Sequence, residues 1–308
     1  HELHGFKRTI DNHYSSFKFS RAIQTTTTFC TDFSAFYCTA VKDRLYCHPH
    51  NHPARQSAIK VLKEAVEVIT RAIAPIVVFT AEEAASYFLE KEEASSLFLT
   101  KPTNYHSSFY SPDIEMRWRA VKAIRRQVLQ TIEQARMSEH KTFSSSPQTD
   151  VEINVKSRPL FKILKNVGEE QLACVFDVGS VVVHLEGEGK GGGKEKGEGV
   201  YEGEFVLEPL QNNISSYSPS SSSPLSGVLS LREIEQRERE KERKWVEREW
   251  SDEVRELLEK EGEEKEGRGV VVRFMVKRAE GGKCERCWRY ICEEKEDVCS
   301  RCNSVLEG

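Results

Sequence analysis

Between Phe17 and Tyr46 the apolar positions Phe19, Ile23, Cys30, Phe33, Tyr37, Ala40 and Val41 recur at steps of three, four and seven. That spacing marks one face of a long helix. Thr25–Thr28 lie inside it, and threonine is a weak helix former, so the helix needs tertiary packing to persist. The tract Cys47–Pro53, with three histidines and two prolines, reads as a loop, and Pro53 suits the first turn of the next helix. A second helix is expected over Ala54–Ala74, with Ala58, Val61, Leu62, Ala65, Val68, Ile69, Ala72 and Ile73 on its apolar face and Pro75 ending it. Thr80–Glu83 has the form of a capping box opening a short helix to about Leu89. Residues 91–112 read as a connection. A further helix is predicted from Pro112 to Glu139, its inner stripe formed by Trp118, Val121, Ile124, Val128, Ile132 and Ala135. Residues 1–145 thus read as an antiparallel helical bundle.

Beyond residue 145 the pattern changes. Val151–Val155 alternates as a strand, residues 159–174 suit a short helix with a turn, and Val178–Leu185 and Val270–Val276 read as further strands. Gly187–Gly199 contains only glycine, lysine and glutamate and cannot bury a core; Ser215–Ser223 is linker-like; Arg232–Arg268 suits a solvated, salt-bridged helix. The fold class expected is mainly α: a helical bundle over 1–145, an irregular α+β junction over 146–268, and a small cysteine module over 269–308. The low apolar content of the chain, 38%, follows from that junction.

The longest apolar stretch, Ala72–Phe79, is interrupted by Pro75 and falls far short of the roughly 18 residues a spanning helix needs. Charge is nearly balanced, 45 basic against 49 acidic residues, which excludes a uniformly basic coat but not a local basic site. Of nine cysteines, Cys284, Cys287, Cys292, Cys299 and Cys302 crowd the C-terminus, whereas Cys30, Cys38, Cys47 and Cys174 are scattered and suit buried, reduced positions. An odd total without a secretory leader is a poor disulfide framework.

Cys284-x-x-Cys287 and Cys299-x-x-Cys302 are the most specific signal in the chain. Two such pairs, each on a tight turn, can close a tetrahedron of thiolates around one structural Zn²⁺ with Zn–S of about 2.3 Å and no open position. The other reading is a redox-active thiol cluster. A module this small has no core of its own, so the metal would supply its folding energy. Cys292 lacks a partner at that spacing and reads as a bystander. Arg286, Arg289 and Trp288 beside the first pair suit RNA, since charge meets phosphate and a ring can stack on an unpaired base. Trp288 could equally cap the module's own interior.

Taken in order, "KDRLYC" at Lys42–Cys47, "APIVVFTAEEAASYF" at Ala74–Phe88, "WRAVKAIRRQVLQTIEQAR" at Trp118–Arg136 and the terminal "KCERCWRY" and "VCSRC" resemble the C-terminal half of bacterial-type isoleucyl-tRNA synthetases, of class I. The likeness covers about residues 1–155 and 270–303. It implies an anticodon-binding bundle, a zinc knuckle ligated by Cys284, Cys287, Cys299 and Cys302, and a tRNA acceptor of isoleucine as partner. Lys42 and Arg44 match the family's "KDR", and Arg125, Glu133 and Arg136 its "R…E..aR" helix, as candidate tRNA contacts or braces. On the outer face of that helix Arg119, Lys122 and Arg126 join them, and for any one of these residues a solvated face is favoured over RNA contact.

Some features depart from the family. Lys141–Pro147 replaces the expected turn, and Gly187–Arg268 has no recognised counterpart, which suits an organellar, mitochondrial version. No "HIGH" or "KMSKS" signature occurs, so ATP and Mg²⁺ would be bound only by a catalytic domain expected upstream of His1, and aminoacylation is not expected of this chain by itself. A monomer continuous with that domain is expected. The rival readings are a stand-alone RNA-binding module from a split synthetase, a zinc-knuckle DNA-binding or repair protein, and a degraded gene.

Overall fold

The computed structural model describes residues 1–88, 96–100, 111–138, 143–186, 200–207, 270–293 and 296–307. The glycine-rich run, the serine-rich run and the charged stretch of Arg232–Arg268 lie outside those residues. Among the described residues no helix is long and apolar enough to cross a membrane.

The chain begins with a helix outside the elements predicted above, α1 (Glu2–Ser15). Leu3, Phe6, Ile10 and Tyr14 line its inner face. It ends in a Schellman turn: Lys18 N–H donates to His13 O at 2.8 Å and Phe17 N–H to Tyr14 O at 3.0 Å, with Phe17 in the left-handed region at φ 55°. The long helix expected to Tyr46 is real but interrupted. It comprises α2 (Phe19–Phe33), one π-turn at Ser34–Cys38, and α3 (Lys42–Tyr46) after a turn at Val41. Its predicted face is corrected at the start. Phe19 and Ile23 are about half exposed, while Ala22 and Thr26 are buried. Thr26 is tolerated there because its hydroxyl donates back to Ala22 O at 2.9 Å.

Helix α4 (Pro53–Ile73) carries Pro53 at its first position and is capped by His52, whose Nδ1 accepts the Ala54 N–H at 3.2 Å. Ala58, Ala65, Val68 and Ala72 are buried as expected, and Tyr14 closes the packing by donating to Ala72 O at 2.6 Å. Phe6 and Phe29 stack with centroids 4.2 Å apart, joining α1 to α2. The capping box at Thr80 does not form. Helix α5 (Val78–Ala85) starts three residues earlier, with Val77 at its cap and no side-chain cap bond. Glu82 instead accepts from Ser96 Oγ at 2.5 Å and Leu97 N at 3.3 Å, organising the 3₁₀ turn Leu97–Leu99.

Helix α6 (Pro112–Met137) opens on Ser111, whose hydroxyl accepts the Ile114 N–H at 3.4 Å. Its inner stripe Val121, Ile124, Val128 and Ile132 is fully buried. The stripe packs mainly on the α+β part: strand β1 (Thr149–Val155), α7 (Arg158–Val167), α8 (Glu169–Phe176) and β2 (Ser180–Leu185), with β3 (Tyr201–Leu207) and β4 (Val270–Arg278). The sheet order is β2-β1-β4-β3, with β1 and β2 parallel and the other pairs antiparallel. The parallel pair needs a crossover, which α7 and α8 provide. Val151, Ile153, Val155, Val181, Val183, Val272, Phe274 and Val276 alternate onto the buried face. One continuous core therefore joins residues 120–135 to 151–183 and 272–276. The outward N–H of Val183 on edge strand β2 donates to the Glu169 carboxylate at 2.8 Å, which covers that edge.

Strand β3 had no place in the predicted elements. Gly203 is required there because the Phe274 ring lies over it, and a Cβ would stand 2.2 Å from that ring. Phe274 is almost fully buried and cannot move aside cheaply. Gly203→Ala is therefore expected to destabilise the fold by about 1–3 kcal/mol, the usual cost of overpacking, read as a lower urea midpoint at unchanged slope.

Candidate functional site

The four cysteines converge. Strands β5 (Gly282–Lys283) and β6 (Tyr290–Cys292) pair antiparallel, and Cys284 and Cys287 sit on the turn between them. Cys284 N–H donates to Arg289 O and Trp288 N–H to Cys284 O, both at 2.9 Å, which fixes the turn. The second pair is not on a matching turn. Cys299 directly precedes α9 (Ser300–Glu307) and Cys302 lies in its first turn. All four Sγ atoms lie within 4.8 Å of one another, a set that could hold a metal ion. Cys287 and Cys299 approach to 3.9 Å, and the N–H groups of Cys287 and Cys299 point at Cys284 Sγ at 3.5 and 3.4 Å.

The electrostatics of the set suit a cation. Burial works to raise the Cys284 thiol, but backbone N–H groups of Cys287, Cys299 and Arg286 outweigh it and bring the group down to about 6. Burial together with the neighbouring sulfurs pushes Cys302 up to about 12 and raises Cys287 further still. Thiolates packed this closely repel one another, and a soft divalent cation offsets that repulsion. Cys292 is buried beside the cluster, with burial and Cys284 raising it to about 11, but it is outside the four-sulfur group. Cys47, read from sequence only as a buried thiol, also packs there from the end of α3.

Three residues of the module dock it. Arg301, between the last two cysteines, donates two hydrogen bonds to Asp43 on α3, Nη1 to Oδ2 at 2.7 Å and Nη2 to Oδ1 at 2.6 Å. Arg301 also reaches Glu170 Oε1 at 3.1 Å. Arg289 donates to Gly179 O at 2.7 Å, and Gln148 Nε2 to Tyr290 Oη at 2.8 Å. Burial acts to raise the Asp43 carboxyl, but the hydrogen bonds and charge of Arg301, with Arg289 behind, hold it below its ordinary value. Asp43 is the residue that sequence reasoning passed over inside the "KDR" motif.

The basic candidates divide by what their side chains touch. Arg125 donates Nε to Val175 O at 2.8 Å, and Arg286 donates to Cys302 O at 2.9 Å; with Arg289 they brace the fold. Arg125 and Lys122 also lie over the Phe36 ring, at 5.5 and 4.5 Å, beside the π-turn. Arg119 and Arg136 pair along α6 with Glu115 and Glu133, and Lys122 with Glu2. Lys42 and Arg126 are exposed, and Arg44 makes a long contact of 3.5 Å to Gln171. Trp288 does not cap an interior: it is 66% exposed, with Lys283 Nζ 4.6 Å from its ring centroid. Its φ of 64° is left-handed, a conformation a bulky residue rarely adopts.

Helices followed by a sheet-docked, four-cysteine module define a class, and residues 1–153 match the family model described as the anticodon-binding domain of tRNA ligase. The chain belongs to that family. Among curated proteins its relatives are isoleucine–tRNA ligases. It is 25% identical to that of Kosmotoga olearia over 312 aligned positions, 99% of this chain and 25% of that protein. It is 32% identical to that of Pelagibacter ubique over 185 positions, 60% of this chain and 20% of that protein. It is 25% identical to the mitochondrial isoleucine–tRNA ligase of Macaca fascicularis over 309 positions, 100% of this chain and 25% of that protein. The chain thus spans about a quarter of the length of these relatives.

The depressed Asp43 carboxyl makes a signed prediction. Its stabilisation is complete above the unfolded carboxylate value of about 4 and is lost as pH falls through the lower folded value. Asp43→Asn is expected to cost about 1.5–3 kcal/mol at neutral pH, the range for hydrogen bonds to charged groups. The gap from the unaltered chain should narrow below about pH 4, checked by urea unfolding across that range.

Proposed function

We propose that this chain is the tRNA-binding region of an isoleucine–tRNA ligase that recognises the anticodon, in a parent enzyme that esterifies isoleucine to its tRNA with ATP. Family membership and the isoleucine–tRNA ligase relatives support the partner. The observation that carries the site is Trp288: exposed, on the metal turn, and held in a conformation that costs about 1–3 kcal/mol for a non-glycine residue. Glycine would fit that turn without cost, so a large ring there argues for a contact outside the protein, and stacking on a splayed anticodon base supplies one.

In this reading Cys284, Cys287, Cys299 and Cys302 hold one structural Zn²⁺, which fixes the turn and carries no chemistry. Lys42, Arg44 and Arg136 meet phosphates. Arg125, Arg286 and Arg289 act chiefly by holding the surface in shape while adding positive potential. ATP and Mg²⁺ belong to the parent enzyme's catalytic domain, with which this region acts as one monomer. Kinship with a mitochondrial ligase supports residence in the mitochondrial matrix.

Three outcomes test this. The full chain should bind isoleucine tRNA more tightly than a tRNA of another anticodon at moderate salt; equal affinities would refute anticodon recognition. Zinc should be present at about one per chain and be lost with chelator or in Cys299→Ser. Trp288→Gly should retain zinc and fold at least as stably, yet lose about 1–3 kcal/mol of tRNA affinity, measured by fluorescence anisotropy of labelled tRNA.

A further inference from the structure

We propose that Asp43 is a positioning residue for RNA binding: through Arg301 it locks the four-cysteine module to α3, so that the module and the α3 corner present one RNA-binding surface. This rests on the function proposed above and adds to it a residue that carries the wrong charge to touch RNA.

Helix α3 is only five residues long, preceded by a π-turn and a break at Val41. One turn of helix does not hold itself in water, so its orientation must come from what it packs against. Cys47 at its end packs among the module's sulfurs, and Asp43 one turn earlier grips Arg301. Arg301 cannot swing freely, since it stands between Cys299 and Cys302 on the first turn of α9. The pair is bidentate, and its side chains are 12% and 25% exposed for Asp43 and Arg301. Both features separate it from the exposed pairs that contribute little. The other two docking contacts, Arg289 to Gly179 and Tyr290 to Gln148, tie the module to the ends of the sheet. Neither of these ends on α3; of the three docking residues Arg301 alone reaches α3, through Asp43, while also holding Glu170 on α8 at 3.1 Å. Loss of the Asp43 grip therefore leaves the module folded on the sheet but free to shift against Lys42 and Arg44, which flank Asp43.

The sign of the effect separates this from simple electrostatics. Removing an acid from a basic RNA-binding face should tighten binding; removing a positioning residue should weaken it. The experiment compares the full chain, Asp43→Asn and Arg301→Lys by zinc content, affinity for isoleucine tRNA, and amide hydrogen exchange at residues 42–46 with and without chelator. Expected are one zinc per chain in all three and a roughly tenfold loss of affinity in Asp43→Asn, with a smaller loss in Arg301→Lys, which keeps charge but not the two-pronged geometry. Exchange at 42–46 should rise on chelation in the unaltered chain and already be raised in Asp43→Asn. Unchanged or tighter tRNA binding by Asp43→Asn, or loss of its zinc, overturns the proposal. If the unaltered chain shows no preference for isoleucine tRNA, the proposed function fails. The exchange data then decide the coupling: no chelator effect at 42–46 in the unaltered chain overturns it, and a rise there that Asp43→Asn already shows upholds it.

Discussion

Two hydrogen bonds between side chains 258 positions apart hold the start and the finish of this chain together. The four-cysteine module has almost no apolar interior; its buried core is the sulfurs themselves. It cannot choose where to sit by burying surface, as α6 does. Its place must come from directional contacts, and the Asp43–Arg301 pair is the strongest of them in geometry. Around it the sequence supplies a second anchor, Arg289 on the carbonyl of Gly179, reached because α8 ends in a left-handed Asp177 that turns the chain toward β2. Module and helical part are consequently one mechanical assembly.

The larger core obeys a different rule. Helix α6 is a hinge between architectures, with one stripe that serves both the helical part and the sheet. Its arginines, which on a helical wheel look like a free basic face, are partly engaged: Arg125 on a carbonyl of α8 and Arg119 on an acid of its own helix. A basic stripe in a sequence is thus a poor guide to available charge. What remains available is sparse and set at corners, with the exposed ring of Trp288 at one of them.

The parts legible from sequence were those encoded by short spacing. The two CxxC pairs, the stripe of α6, Pro53 opening α4 and Pro75 closing it all depend on neighbours within a few residues. What escaped was relational. Periodicity says that Val128 is buried but not that a sheet buries it. Asp43 and Arg301 are ordinary charged residues until the fold sets them face to face. Strand β3 alternates Tyr201, Gly203, Phe205 and Leu207 inward, yet its glycine and two glutamates blend into the polar run before it. The capping box at Thr80 failed because the chain leaving Pro75 turns tightly, Ile76 and Val77 donating to Ile73 O, and starts α5 early, which puts Thr80 and Glu83 inside the helix rather than at its end.

The register of β3 and β4 has a consequence for how such a chain can change. Leu207 stands opposite Val270, so everything encoded between them departs and returns about 5 Å apart, at one end of one hairpin. Closing a loop on such fixed posts costs only about 0.6 kcal/mol for each doubling of its length. That junction is a port at which genetic material can accumulate, be trimmed or be replaced by a foreign domain, while the core and the cysteine module fold as before.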